Sequence, residues 1–109
     1  MKDSPIKILL LESSEERNSF LSQMLNEKGY QTETTGKIEQ AIEKILNQAF
    51  NLVICENKVN EYTGFEVFKK LREYLRNSGI PFFLVLDSFE NEDMLIGLEM
   101  GIDNFIVTP

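Results

Sequence analysis

Apolar residues run along this chain in two rhythms. Short segments rich in β-branched or aromatic residues fall at Ile6–Leu11, Tyr30–Thr34, Leu52–Glu56, Pro81–Leu86 and Asn104–Val107. Between them lie longer stretches in which apolar residues return at helical spacing, which predicts successive βα units and a parallel sheet. The first, third and fourth segments are almost continuously apolar, as strands covered on both faces are. They are expected at the centre of the sheet.

The helices carry their own start and stop signals. Ser13, followed three residues later by Glu16, reads as a capping box opening a first helix with the stripe Phe20, Leu21, Met24, Leu25 and a stop at Gly29. A second helix gathers Ile38, Ile42, Ile45 and Leu46 on one face. Thr63 and Glu66 repeat the capping signal for a third, which is expected to bury Phe65, Phe68, Leu71 and Leu75. The fourth holds Met94, Leu95 and Leu98 and ends at Gly101. A doubly wound sheet calls for a fifth helix after the last strand, yet the chain stops at Pro109. A fragment of a longer multidomain protein is therefore expected, with residues 1–109 forming one domain.

Composition narrows the function classes. A chain of 109 residues makes one domain, and 42% apolar with 27% charged residues is ordinary globular usage. No apolar run approaches the ~20 residues of a membrane span, and the N-terminus lacks a signal peptide's apolar core, so the expected location is cytoplasmic. The net charge of −7 argues against nucleic acid or an anionic membrane as partner. The absence of His removes imidazole catalysis, Ser/His/Asp triads and His-type zinc sites. The single Cys55, inside the apolar run LVIC, reads as a small buried residue, with a reactive thiol as the lesser reading.

Four local patterns then occur in order. KILLLES at 7–13 ends a strand in an acidic residue, and LVICENKVNEYTG at 52–64 places Gly64 eight residues after Glu56. IPFFLVLDS at 80–88 and GIDNFIVTP at 101–109 complete the series. Together they resemble the receiver domain of bacterial two-component response regulators over the whole chain. The resemblance implies a flavodoxin-like doubly wound α/β fold, a five-stranded parallel sheet in the order 2-1-3-4-5, the (βα)5 unit with its last helix missing from this chain.

The resemblance also assigns positions to a phosphorylation site: an acidic pair after strand one that holds Mg²⁺, an Asp nucleophile after strand three, a Thr or Ser after strand four, and a Lys before the last Pro. Those positions here read Glu12 and Ser13, Glu56, Asp87 and Thr108, so none keeps its usual residue. The turn Pro after the nucleophile is Asn60, and the helix-one Pro is Glu15. Phosphoryl transfer to a carboxylate needs an in-line oxygen, a metal and a cation to stabilise developing charge. Glu56 reaches one methylene, roughly 1.5 Å, too far, and misplacement on the order of 1 Å can cost ~10²-fold. Ser13 removes a metal ligand, Thr108 removes the positive charge, and Asp87 adds a negative one where a hydroxyl would contact the phosphoryl group. Glu56 can stand permanently for a phosphorylated Asp, although a phosphoryl group brings nearly two charges and three acceptor oxygens.

Glu12, Glu56 and Asp87 are all expected at the carboxyl ends of central strands. Two carboxylates ~5 Å apart repel by roughly 3 kcal/mol at an effective dielectric of about 20. Solvent, a raised pKa, a divalent cation or a neighbouring Lys could relieve this, and Lys58 is the nearest candidate to fold over the cluster. Binding of Mg²⁺ or Ca²⁺ by Glu12, Glu56 and the Lys58 carbonyl is the lesser alternative, and no metal or cofactor is expected. Asp87 has a plainer reading with Ser88 as a start of helix four, and Phe105, at the position of the family's switch aromatic, reads first as core.

The leading expectation is a pseudo-receiver, not an enzyme: a regulatory module that binds a protein partner or neighbouring domain without phosphorylation. The resemblance implies the helix-four and strand-five face as the contact surface, with a homodimer among the options. A phospho-receiver working through a non-standard site shares the fold and is the alternative. A flavodoxin-like cofactor protein, using Ser13 and Ser14 to hold phosphate, is disfavoured by Glu12, Glu15 and Glu16 around them and by the lack of Gly in that loop.

Overall fold

The computed structural model describes residues 5–13, 20–86 and 91–107. Five parallel strands form the main sheet: β1 (Lys7–Leu11), β2 (Gln31–Thr35), β3 (Leu52–Cys55), β6 (Phe82–Leu86) and β7 (Asn104–Val107). Their spatial order, β2-β1-β3-β6-β7, is the expected 2-1-3-4-5 once a small hairpin is set aside. That hairpin, β4 (Lys58–Val59) against β5 (Tyr62–Thr63), is antiparallel and was not anticipated. Its signal is legible afterwards in KVNEYT, where a two-residue Asn-Glu loop separates short apolar-bearing arms.

The helices are α1 (Phe20–Glu27), α2 (Ile38–Asn47), α3 (Gly64–Ser78) and α4 (Asn91–Met100). Alternation along the strands sorts the core into two layers. Leu9, Leu11, Val53, Cys55, Phe82, Leu84 and Leu86 face a large cluster that includes Ala41 and Ile45 of α2 and Val67, Phe68, Leu71 and Leu75 of α3. Ile8, Leu10, Ile54 and Val85 point the other way, toward Leu21 and Leu25 of α1. Phe68 and Phe82 meet with ring centroids 4.9 Å apart, locking α3 onto β6.

The Thr63–Glu66 capping box forms as expected: the Glu66 amide donates to Thr63 Oγ1 at 3.1 Å, and the Thr63 amide donates to Glu66 Oε1 at 2.9 Å. Phe65, expected to be buried with this helix, is only partly so and packs at the edge of the cluster. The α2 stripe is centred differently from the expectation. Ala41 and Ile45, four residues apart, form the buried line, whereas Leu46 lies 62% exposed because it falls a full step of helical rotation past Ile45. On α4, Met94 packs against the core, but Leu95 and Leu98 do not. The expected cap of helix one depends on Glu16, which lies outside the described residues.

At the edge strand β2, Glu33 receives Lys44 Nζ at 2.7 Å and Lys7 Nζ at 3.2 Å. The hydrogen bond from Lys44 is the main cause that holds its carboxyl below the usual range, with Lys7 and Gln48 assisting. A depressed folded pKa contributes stability above the unfolded carboxylate value, about 4.3, and that contribution disappears as pH falls through the folded value. Glu33→Gln should therefore lower stability slightly at neutral pH, by well under about 1 kcal/mol for a partly exposed, solvent-screened group. Thermal melts across an acid series should show the difference shrink as pH falls below the unfolded carboxylate value and vanish below the folded one.

Candidate functional site at the carboxyl edge of the sheet

The strand register assembles the site. Leu11 stands opposite Cys55 at the end of the β1–β3 ladder, so Glu12 and Glu56 are the next residues out on adjacent strands, whose spacing is about 4.8 Å. The ladder runs on through them: the Glu56 amide donates to the Leu11 carbonyl at 2.9 Å, and the Glu12 amide donates to the Thr35 carbonyl at 3.1 Å. Glu12 is buried and Glu56 half-buried. The two acidic residues thus come together as the sequence suggested. Asp87 and Thr108 lie outside the described residues.

Ser13 sits next to this pair and is tied to the hairpin. Its hydroxyl donates to the Lys58 carbonyl at 3.1 Å and accepts from the Asn60 amide at 2.8 Å. The Asn60 side-chain amide then donates to the Gly36 carbonyl at 2.8 Å, which joins the loop after β2 to the same cluster. Asn60 has φ 56°, in the left-handed region that a two-residue hairpin loop requires and that Asn tolerates better than other side chains. Neither Asn60 nor Gly36 was singled out as a functional residue from the sequence. The Asn-Glu turn was the available signal for the first; the second has none, because its role depends on three loops meeting.

Lys58 does not fold over the acidic pair. It stands opposite Thr63 in β4, and alternation sends Val59 into the core and leaves the Lys58 side chain exposed. Among the described residues the ion pairs are Lys7–Glu33 and Lys44–Glu33. What Lys58 brings to the site is its carbonyl oxygen.

Cys55 is fully buried beneath the site, with its thiol directed at the Glu56 carbonyl 3.3 Å away. Burial, and secondarily the Glu56 charge, push the thiol far up, so it stays protonated at neutral pH. Phe105, in β7, is partly buried. Its ring rests on Gly97 of α4, where a Cβ would stand 2.5 Å from Phe105 Cζ and 3.2 Å from Phe65 Cε1.

The spacing of Gly64 from Glu56 has a direct steric cause. A Cβ at Gly64 would lie 2.2 Å from Leu84 Cδ1 and 2.9 Å from the Glu56 carbonyl oxygen. Only a residue without a side chain lets the first turn of α3 approach the end of β3 this closely, an approach closed by the Gly64 amide donating to the Asn57 carbonyl at 2.7 Å.

Residues 8–109 match the response regulator receiver domain family. The chain belongs to that family. It is 29% identical over 103 residues to the transcriptional regulatory protein CpxR homolog of Haemophilus influenzae, which covers 94% of this chain and 44% of that protein. The structure is similar to chemotaxis protein CheY4 of Vibrio cholerae, with a TM-score of 0.82 and 24% identity over 97% of this chain and 88% of that one. It is similar too to the non-phosphorylated HemR receiver domain of Leptospira biflexa, with a TM-score of 0.75 and 25% identity over 95% and 82% of the two chains. This receiver domain spans under half the length of the curated relatives it matches.

The receiver fold implies a divalent cation at this edge. The described donor set does not fit one: no three Asp, Glu, Cys or His side chains converge among the described residues, and the Ser13 hydroxyl, a neutral and weaker ligand than a carboxylate, already donates to the Lys58 carbonyl and accepts from the Asn60 amide. No step is derived through a metal. The phosphate-loop alternative for Ser13 meets the same obstacle.

Gly64→Ala should destabilise the domain by about 1–3 kcal/mol, the usual cost of overpacking, because the Glu56 carbonyl is backbone and cannot swing away. Urea denaturation with an unchanged m-value checks this.

Proposed function

We propose that this receiver domain acts as a phosphorylation-independent interaction module of two-component signalling, a pseudo-receiver. The observation that carries the reading is the surface of α4, where Leu95, Ile96 and Leu98 are 60%, 50% and 54% exposed on one short helix. Val107 of β7, 40% exposed, adds to the apolar surface of this end of the sheet. Three large apolar side chains on ten residues are more than scattered surface residues require, and such clustering marks a contact surface. A protein partner or a neighbouring domain would cover it, a second copy of this chain included.

The chemistry at the sheet edge supports the absence of phosphorylation. Glu56 stands in the acceptor's place with a carboxylate one methylene longer, and Ser13 replaces a carboxylate with a hydroxyl. Asp87 and Thr108 occupy the remaining positions, where the family's hydroxyl and Lys would grip a phosphoryl group. Glu56 then supplies a permanent single negative charge in place of a switched one.

Incubation with acetyl phosphate and Mg²⁺ followed by intact mass should show no added phosphoryl group; a gain of one would make this a working receiver with a non-standard acceptor. Leu95→Ser and Leu98→Ser, being exposed, should each leave stability within about 0.5 kcal/mol of the parent while weakening association through α4. Thermal melts and sedimentation velocity report the two effects separately.

A further inference from the structure

We infer that Ser13 is a positioning residue whose hydroxyl closes the loops at the carboxyl edge by hydrogen bonds, in the place where a receiver would close them around a divalent cation. The inference goes beyond the interaction reading above and does not rest on it.

The chain leaves β1, β2 and β3 side by side at this edge, and the described residues just beyond them carry backbone groups that the ladders no longer satisfy. One hydroxyl serves two of them. Ser13 Oγ donates its proton to the Lys58 carbonyl at 3.1 Å and takes the Asn60 amide proton at 2.8 Å. This uses the hydroxyl's single donor and one of its two acceptor lone pairs. The residue it holds, Asn60, is the one described non-glycine residue with positive φ, and its own side chain passes the connection on to the Gly36 carbonyl at 2.8 Å. Gly36 is packed so closely that a Cβ there would stand 2.6 Å from the Glu12 carbonyl oxygen and 3.0 Å from Asn60 Nδ2. Ser13, Asn60 and Gly36 are therefore linked through Asn60, which meets the Ser13 hydroxyl with its backbone and Gly36 with its side chain.

A hard cation needs oxygen lone pairs turned toward it. Here the hydroxyl proton lies between Ser13 Oγ and the Lys58 carbonyl oxygen, so a cation approaching that carbonyl from the Ser13 side meets a proton rather than a ligand. Admitting one would break the Ser13–Lys58 bond and release the Asn60 amide as well. The local geometry is set whether or not a divalent cation is in solution.

The test is amide hydrogen exchange of the intact chain, followed at Asn60 by NMR, with and without millimolar MgCl₂. Wild-type exchange at Asn60 should be unchanged by Mg²⁺. Ser13→Ala should speed it about tenfold, the equivalent of roughly 1.4 kcal/mol for two lost hydrogen bonds, while core amides such as Leu10 keep their protection. Ser13→Thr, which keeps the hydroxyl, should restore slow exchange, and it keeps the test decisive where the Ala variant folds poorly. Mg²⁺-dependent protection of Asn60 in the wild type would overturn the inference, as would a Ser13→Thr variant that exchanges as fast as one lacking the hydroxyl. A phosphoryl gain from acetyl phosphate with Asn60 exchange still indifferent to Mg²⁺ would overturn the functional reading and support this one.

Discussion

The burial of β1 on both faces is the constraint on which the rest of the domain depends. Ile8, Leu9, Leu10 and Leu11 are all almost fully removed from water, each contributing on the order of 1.5–3 kcal/mol of hydrophobic stabilisation. In a strand covered on both sides, alternation cannot fix the register, because a one-residue slip exchanges one apolar face for the other. The polar residues that bracket the run do so instead. Lys7 is anchored at one end, its amide donating to Asn51 Oδ1 at 2.8 Å and its ammonium reaching Glu33, Gln48 and the face of Phe50. Glu12 marks the other end. A slip in either direction would carry Lys7 or Glu12 into the apolar run between the helical layers, and in the observed register Glu12 and Glu56 become neighbours.

That register delivers three loops to one edge, and the local chemistry there is mostly backbone chemistry. The side chains that matter act on main-chain groups: Ser13 on Lys58 and Asn60, Asn60 on Gly36, Thr63 on the first turn of α3. Gly64 lets that turn come down on the Glu56 carbonyl.

The acidic edge and the exposed face of α4 adjoin through aromatic packing. Phe65, one residue after Gly64, stands beside Gly97 of α4 along with the Phe105 ring. The end of β3, the start of α3, β7 and α4 thus form a continuous contact from the acidic edge to the exposed Leu95, Ile96 and Leu98. A partner seated on α4 would press on the helix that packs against this aromatic pair.

Most of the architecture was written in the order of residues. Continuous apolar runs identified the central strands, the Thr63–Glu66 spacing placed the start of α3, and Glu12 and Glu56 were located because strand ends are local and polarity marks them. What a side chain does at a distance was not legible. Lys58 is near Glu56 in sequence but is turned outward by its pairing with Thr63, and Leu46 and Leu98 look like core residues until the helix is rotated against its neighbours. Ser13 has described partners that lie 45 and 47 residues away, and nothing local in the sequence points to them. The sequence by itself determined which segments are strands and where charge falls at their ends, because those follow from local period and polarity. Only the tertiary structure decided which backbone groups Ser13 and Asn60 meet, because hydrogen-bond partners are chosen by the loops that the parallel register brings together.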